Sequence, residues 1–254
     1  MNMPNCSVEG KVTIVTGSSQ GIGNRLAKGF AEAGASVVLV ARTVSRLEDA
    51  VREIKAEGGK ALAVPTDVTD GAQVSQMVAR TLKSFGRIDV LINCAGGSGQ
   101  YRNMPLLDLE ERVWDHVVDL NLKSVYLCCR AAGRIMAEQK SGSIINFSSG
   151  AATVPVAGMT HYCSAKIGVN QFTKVLAVEW GHYNVRVNAI SPGLTATPTE
   201  QQFMPPDLYE KYAKAIPLGR VGQPEDILGT ALFLASEASA YVSGVIIPVS
   251  GGPQ

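Results

Sequence analysis

The chain has 254 residues, of which 46% are hydrophobic and 18% charged, a balance typical of one globular domain with a sizeable core. Its 23 basic and 22 acidic side chains give a formal net charge of +1, which argues against the basic footprint of a nucleic-acid-binding protein. The first ten residues contain no apolar targeting segment, and no stretch approaches the roughly 18 apolar residues of a membrane span. We therefore expect a cytoplasmic protein whose partners include neither nucleic acid nor membrane.

Short apolar runs rich in Val and Ile alternate with longer segments of helical period. In chain order, the predicted strands are 11–16, 36–41, 61–64, 88–92, 143–147, 185–190 and 245–249, and the predicted helices are 21–33, 44–57, 70–84, 108–139, 159–180 and 224–236. This alternation is typical of βαβ units, in which helices cover both faces of a parallel sheet. The sequence predicts an α/β protein with a doubly wound, seven-stranded parallel sheet in a single domain over 1–254.

One long segment lacks strand character. It covers 195–216 and is interrupted by Pro198, Pro205 and Pro206. Connections of this length inside a compact domain usually have a function. We expect a substrate lid at about 194–216.

Cysteine and histidine spacing favours neither disulfides nor metal. The chain has an odd number of cysteines without C-x-x-C spacing, which are Cys6, Cys94, Cys128, Cys129 and Cys163. The three histidines, His116, His161 and His182, also lack the spacing of metal ligands. We expect reduced, mostly buried thiols and no metal site.

A glycine-rich turn joins the first predicted strand to the first helix. Gly17, Gly21 and Gly23 give the spacing G-x-x-x-G-x-G, and in this context backbone N–H groups and a helix N-terminus can approach a pyrophosphate. Alone, such a turn is also compatible with a plain tight turn. It predicts a dinucleotide cradle only together with the features that follow.

The end of the second predicted strand indicates which dinucleotide is bound. NAD-binding proteins place a carboxylate there for the ribose hydroxyls, whereas this chain has Arg42. A guanidinium pairs with a 2′-phosphate, so Arg42 favours NADP(H), with NAD(H) as the second choice. The alternative is that Arg42 is a solvated residue at the strand end, and Gln20 in the glycine turn adds no second positive charge.

Tyr162 and Lys166 lie four residues apart in a predicted helix, so their side chains share one face. Ser149 follows the strand 143–147, and Asn121 lies in the long preceding helix. An isolated Tyr/Lys pair would be read as a surface feature. The four residues together predict an active site.

At this point the chain resembles the short-chain dehydrogenase/reductase family in its compact single-domain form, over nearly its whole length. The motifs that carry the resemblance are Thr16-Gly17 through Gly23, Asp67-Val68, Asn93-Cys94-Ala95-Gly96, Asn121, Ser149, Tyr162 through Lys166, and Pro192-Gly193 followed by Thr197. Two positions depart from the family pattern: Cys94, where Asn or Ala is usual, and Ser250, where aspartate is frequent. The resemblance implies a Rossmann-type fold and an NAD(P)-dependent oxidoreductase.

The resemblance also implies roles for individual residues. Asn121, Ser149, Tyr162 and Lys166 would be catalytic, with Lys166 also on the ribose and Asn121 holding a water that links Lys166 to solvent. The implied cofactor-binding residues are Gly17, Ser18, Ser19, Gln20, Gly21, Ile22, Gly23, Arg42, Asp67, Val68, Asn93, Ala95, Gly96, Tyr162, Lys166, Pro192, Gly193, Thr195 and Thr197. The implied reaction interconverts a ketone and a secondary alcohol, with Tyr162 as general acid or base. A phenol of pKa ~10 would have to be lowered by about three pH units, roughly 4 kcal/mol, to act as a base at neutral pH.

The expected pocket walls are 97–104, 150–161 and the lid residues Phe203, Met204 and Tyr209. These segments are mostly apolar, which favours a neutral or hydrophobic small-molecule ketone, although Arg102 could anchor a carboxylate. A 3-oxoacyl-(acyl-carrier-protein) reductase is an alternative, for which Lys140 could supply a basic residue at the pocket mouth. From other classes, a non-catalytic NADP(H) sensor and a cofactor-independent lyase or dehalogenase of the same fold stay open.

The helices 108–139 and 159–180 carry apolar residues beyond one face, as at Val125, Leu127, Cys128 and Val169. We therefore expect a homo-oligomer that forms through these helices. The family resemblance favours a tetramer.

Overall fold

The computed structural model describes residues 5–253, so residues 1–4 and 254 of the predicted domain lie outside the described residues. The strands are β1 Val12–Thr16, β2 Ser36–Ala41, β3 Lys60–Pro65, β4 Val90–Asn93, β5 Gly142–Phe147, β6 Val185–Pro192 and β7 Ile246–Val249. They form one seven-stranded sheet in the order β3-β2-β1-β4-β5-β6-β7, with every neighbouring pair parallel. The predicted α/β fold and seven-stranded sheet are confirmed.

The helices are α1 Gly21–Glu32, α2 Val44–Ala56, α3 Gly71–Phe85, α4 Glu111–Val118, α5 Ser124–Gln139, α6 Thr160–Trp180, α7 Pro198–Phe203, α8 Pro206–Ala215 and α9 Pro224–Ala235. Short 3-10 turns occur at Leu106–Asp108, Gly150–Ala152, Gly181–Tyr183 and Glu237–Ser239. Among the described residues, no helix is long and apolar enough to cross a membrane.

Strand residues face two hydrophobic clusters in turn, as the period of two in a β-strand requires. Val15 and Leu39 pack in the cluster under α1, α2 and α9, whereas Ile14 and Val38 pack in the cluster under α3, α5 and α6. A strand buried on both faces needs apolar residues at successive positions. This explains the continuous Val and Ile runs from which the strands were predicted.

The prediction of one continuous helix over 108–139 was wrong. Its first residue belongs to a 3-10 turn, and a π-helical segment, Asp119–Lys123, separates α4 from α5. A π segment inserts one residue into the helical ladder, so the hydrophobic period alone does not reveal it. Such segments are frequent at functional sites, and this one contains Asn121.

The segment 195–216 contains two short helices, α7 and α8, rather than irregular chain. Both begin at prolines, which suit the first helical position because their missing N–H has no partner there anyway. Thr195 forms a parallel bridge with Gly222. These helices lie beyond the carboxyl end of β6, on the side of the sheet where ligands of such folds bind.

Candidate active site

The strand order reverses between β1 and β4, which are neighbours in the sheet although two strands lie between them in sequence. Open parallel sheets form a crevice at such a point, outside the carboxyl ends of the strands. The glycine turn follows β1, Ala95 follows β4, and Ser149 follows β5. The predicted site residues therefore lie along one edge of the sheet.

The glycine turn leaves the N-terminus of α1 open. Gln20 occupies the N-cap position without a capping side-chain hydrogen bond, and the first turn has no acidic residue, whereas Asp70 caps α3 and Thr197 caps α7. The first N–H groups of a helix need an acceptor, and a phosphate is a favourable one. This terminus fits the pyrophosphate of a dinucleotide.

Glycine is required within the turn by close approach of the backbone. Gly17 has φ +70° and Gly21 has φ +58°, both in the left-handed region. A Cβ at Gly23 would lie 2.5 Å from the carbonyl oxygen of Gly17. The helix can therefore pack directly against the turn. Ser19 and Ile22 lie in the same turn and are partly exposed.

Two hydroxyl groups near the turn form hydrogen bonds with neighbouring segments of the chain. The fully buried Ser18 accepts a hydrogen bond from Val40 N at 2.7 Å. Thr16 accepts from the backbone N–H groups of Cys94 and Ala95 at 3.0 and 3.1 Å. The Ser18 hydroxyl therefore ties the turn to β2, and Thr16 ties β1 to the turn after β4. The contact of Ser18 with the phosphates stays a prediction.

Two arginines, Arg42 and Arg46, lie near the glycine turn. Arg42 is exposed at the end of β2, and its charge helps to lower the pKa of Asp67, whose carboxylate mainly accepts hydrogen bonds from Thr69. Arg46, in the first turn of α2, donates to the side-chain oxygen of Gln20. Val68 is buried next to Asp67. Gln20 carries no charge, but Arg46 places a second positive charge beside the glycine turn.

Tyr162 lies in the first turn of α6, beside the turn that follows β5. Burial raises the pKa of its phenol, and a hydrogen bond with Ser149 opposes that effect. Ser149 Oγ also accepts from Ala151 N at 3.2 Å, which orients the hydroxyl. The protein alone therefore keeps the phenol protonated at neutral pH, opposite to the lowered pKa expected for a base, because burial disfavours the phenolate.

Lys166 lies one helical turn beyond Tyr162 and is 3% exposed. Its Nζ lies 5.6 Å from the centre of the Tyr162 ring and donates to the carbonyl oxygen of Phe147, the last residue of β5, at 2.8 Å. Burial lowers its pKa to about 8. A Cβ at Gly96 would lie 3.2 Å from Nζ, so the ammonium group also lines the turn after β4.

Asn121 holds the loop that follows Gly96. Its side chain accepts from Gly97 N at 2.8 Å and donates to the carbonyl oxygens of Gly97 and Val117, each at 2.9 Å. These bonds satisfy the amide group of a fully buried side chain. The structure thus brings Asn121, Lys166 and Gly96 together.

Asn93 faces the interior rather than the crevice. Its amide donates to Asn146 Oδ1 at 2.9 Å, and Asn146 in turn donates to Thr173 Oγ1 at 2.9 Å. We call this buried chain of hydrogen bonds the Asn ladder. Asn93 therefore contributes its side chain to the sheet–helix interface, while Ala95, two residues later, is partly exposed.

The chain beyond β6 approaches the glycine turn. Gly193 N donates to Val249 O at 3.0 Å, and Thr195 Oγ1 donates to Gly193 O at 3.1 Å. Thr197 lies next to Gly21, since a Cβ there would meet its methyl carbon at 3.3 Å. Gln20 donates to Thr199 Oγ1 at 3.1 Å. Pro192, the last residue of β6, is partly exposed.

An ion pair joins the loop 97–104 to α7. Arg102 forms a bidentate pair with Glu200, with Nη1 at 2.8 Å from Oε2, and its Nε donates to Ser98 Oγ at 3.1 Å. Both charges act on the Tyr162 hydroxyl. Arg102 was considered from sequence only as a free anchor, and Glu200 was missed because it lies 98 residues away in sequence.

His161 anchors the same loop from α6. Its Nε2 lies 2.9 Å from the carbonyl oxygen of Tyr101, and because a carbonyl only accepts, Nε2 carries the hydrogen. Among the described residues no cluster of His, Cys, Asp or Glu could hold a metal ion. All five thiols are free: Cys128 and Cys129 are buried, Cys94 and Cys163 partly buried, and Cys6 exposed.

Lys140 does not lie at the pocket mouth. It ends α5 in the left-handed conformation two residues before β5 begins, so it lies at the amino edge of the sheet. The site lies at the carboxyl edge. The sequence-based suggestion that Lys140 could receive a carrier protein at the pocket was therefore wrong.

Known proteins resemble the chain over nearly its full length. A family model described as Enoyl-(Acyl carrier protein) reductase matches residues 17–254. A 3-oxoacyl-(acyl-carrier-protein) reductase of Synechocystis sp. is 42% identical over 244 residues, which cover 95% of this chain and 96% of that protein. A D-threitol dehydrogenase of Mycolicibacterium smegmatis is 36% identical over 245 residues, covering 96% of this chain and 93% of that protein.

Among solved structures, a 7α-hydroxysteroid dehydrogenase complexed with NADH and 7-oxo glycochenodeoxycholic acid superposes with a TM-score of 0.94. It is 34% identical, and the match covers 99% of this chain and 97% of that one. The fold and these matches define an oxidoreductase with a Rossmann-type sheet. The chain belongs to the short-chain dehydrogenase/reductase family. The relatives are named for a 3-oxoacyl-(acyl-carrier-protein), D-threitol and a 7α-hydroxysteroid, so membership of the family does not identify the substrate.

Proposed function

We propose that this protein interconverts a ketone and a secondary alcohol with NADP(H) as cofactor. The observation that carries the proposal is the Tyr162–Ser149 hydrogen bond beside Lys166, in a crevice that also contains the open N-terminus of α1. One end of this crevice fits a pyrophosphate, and the other offers hydroxyl donors to a carbonyl oxygen. The predicted catalytic set of Asn121, Ser149, Tyr162 and Lys166 remains a proposal.

The cofactor, when bound, supplies the hydride that the carbonyl carbon receives. Negative charge then develops on the carbonyl oxygen, and Ser149 and Tyr162 donate hydrogen bonds to it. Tyr162 transfers its proton to that oxygen, and its raised pKa keeps this proton in place until then. Lys166 places positive charge next to the ring, and Asn121 fixes the backbone of Gly97 beside it.

Tyr162→Phe tests the proton donor. The substitution removes only the hydroxyl, so NADPH affinity should stay near wild type while kcat falls by roughly 10²- to 10⁴-fold. Tyr241→Phe is the control because Tyr241 is fully exposed. Retention of more than about a tenth of wild-type kcat would remove Tyr162 from the mechanism.

The preference for NADP(H) rests on two arginines. Among the described residues, Arg42 has no ion-pair partner within 4.0 Å, and Arg46 is held against Gln20 at the glycine turn. Together they offer two guanidinium groups to a 2′-phosphate. The steroid dehydrogenase neighbour is named with NADH, so this preference is a property that we propose for this chain rather than for the family.

Arg42→Asp should invert the preference. It removes a charge-assisted contact and places a carboxylate against the 2′-phosphate, so kcat/KM with NADPH should fall by about 10- to 100-fold while activity with NADH holds or rises. Arg52→Asp is the control, since Arg52 is exposed on α2 and pairs with Asp49. A wild type that uses both cofactors equally, or an unchanged ratio in Arg42→Asp, would refute the NADP(H) proposal.

A 3-oxoacyl-(acyl-carrier-protein) reductase is the second candidate. The relative of that name is 42% identical over nearly the whole chain. The candidate predicts that a carrier-bound 3-oxoacyl thioester is reduced with a much higher kcat/KM than the same acyl group on a small thiol. Equal values for the two thioesters would favour the small-molecule reading.

We further propose that the segment 194–216 is a substrate lid and that the protein is a homo-oligomer. Thr199 and Glu200 of α7 bind Gln20 and Arg102, so the lid bridges the cofactor and substrate sides.

The assembly would use α5 and α6, but not for the reason first given, because Val125, Cys128 and Val169 are buried within the chain. The apolar surface of these helices comes instead from other side chains: Tyr126, Ile167, Val175 and Val178.

A further inference from the structure

The Arg102–Glu200 pair occupies the substrate side of the site. Arg102 comes from the loop after β4 and Glu200 from α7, and only 18% and 22% of their side chains are exposed. Both are close enough to Tyr162 for their charges to act on its hydroxyl. A ketone whose oxygen meets the Tyr162 hydroxyl would therefore lie within reach of both charges.

The pair leaves little free binding capacity on Arg102. Two guanidinium nitrogens bind the carboxylate of Glu200, and Nε binds Ser98. The bidentate geometry is the strongest that arginine forms with a carboxylate. Separation would leave a largely buried charge without its partner, which is costly, so the pair persists when substrate enters.

We propose that the Arg102–Glu200 pair acts as a charge filter: the site accepts ketones that are uncharged near the carbonyl group and rejects those that carry a carboxylate there. Glu200 already occupies the guanidinium that such a carboxylate would need. It also presents its own negative charge to an incoming anion, in a place where water screens the repulsion only in part. This inference rests on the proposed reduction of ketones at Tyr162.

The same pair also affects how kcat/KM depends on pH, through its effect on the pKa of Tyr162. The groups that face the Tyr162 side chain are Ser149 after β5, Arg102 from the loop, Glu200 from α7, and Cys163 and Lys166 from α6. Glu200 raises the pKa of the phenol and Arg102 lowers it. Glu200→Gln should therefore move the Tyr162-dependent limb of the kcat/KM profile to lower pH, and Arg102→Gln should move it to higher pH.

The experiment compares short 3-oxo acids with their methyl esters, which differ in the charge near the carbonyl. Reduction is followed by NADPH oxidation at saturating cofactor. Wild type should prefer the ester by about tenfold or more in kcat/KM. Glu200→Gln removes the negative charge and frees Arg102, so the ester-to-acid ratio should fall by about tenfold. Glu57→Gln, an exposed change at the C-terminal end of α2 and outside the proposed lid, should leave the ratio unchanged.

The outcomes separate the inference from the proposed function. Wild type that reduces the acid as well as the ester overturns the filter and leaves ketone reduction intact. An unchanged ratio and pH limb in Glu200→Gln also overturn it, because a purely structural pair would lower both activities together. If wild type reduces neither compound, nor any other ketone tested with NADPH or NADH, the proposed function fails and the filter fails with it.

Discussion

Lys166→Met should change how the stability of the protein depends on pH. Lys166 is buried, and its Nζ donates a hydrogen bond to the carbonyl oxygen of Phe147 at 2.8 Å. Burial lowers its pKa from 10.5 to about 8. In the unfolded chain the same lysine keeps its ordinary pKa, so burial of the charged form disfavours folding.

The sign follows from the protons that each state binds. Between pH 8 and 10.5 the unfolded lysine is still protonated while the buried one has lost its proton, so the free energy of unfolding rises with pH in this window. Below pH 8 the full cost of burying the charged lysine, about 3 kcal/mol, lowers the free energy of unfolding. From pH 7 to 9, the stability of wild type relative to Lys166→Met should therefore increase by roughly 1 kcal/mol.

Urea unfolding of both proteins at pH 7, 8 and 9 measures this difference. Taking the difference cancels the opposing contribution of Cys128, whose pKa burial raises to about 12. Lys174→Met is the matched control, because Lys174 is exposed on the same helix. A difference that stays constant with pH, or one that decreases, would refute the account of Lys166 as a buried lysine of lowered pKa.

Three further outcomes follow from close packing, burial and exposure. Gly23→Ala should lower the free energy of unfolding by about 1–3 kcal/mol and weaken NADPH binding, since its Cβ would lie 2.5 Å from Gly17 O; unchanged urea midpoint and cofactor affinity would contradict this. A thiol reagent should label Cys6 quickly in the native protein and all five cysteines only after unfolding, which mass spectrometry can count. Val178→Glu, at a position 84% exposed, should shift the sedimentation coefficient towards that of a monomer, and a wild type that already sediments as a monomer would refute assembly through α5 and α6.

The strands could be predicted because each one is buried on both faces. A run such as Val37 to Val40 has no polar position, and its strand, Ser36–Ala41, has the predicted bounds. The helices with one apolar face were placed equally well. The break at Asp119–Lys123 escaped because a π segment preserves the apolar pattern on both sides.

Side-chain direction was harder to predict than position. Ser18 and Asn93 stand where expected along the chain, but Ser18 binds β2 and Asn93 binds β5. Sequence spacing places a backbone in the crevice, whereas the direction of a side chain depends on neighbours from distant segments. The same reason hid the partnership of Glu200 with Arg102 and of Arg46 with Gln20.

The Asn ladder determines where α6 lies along its own axis. Apolar packing alone would tolerate a slide of the helix by one turn, about 5.4 Å, because side chains of similar size recur at that interval. Asn146 of β5, however, donates to Thr173 of α6, and Thr173 donates to Val169 within the helix. A slide would leave these polar groups without partners in the interior, at a cost of about 1–3 kcal/mol for each unsatisfied group. Two asparagines and a threonine eleven residues beyond Tyr162 thus set the height at which the phenol meets Ser149.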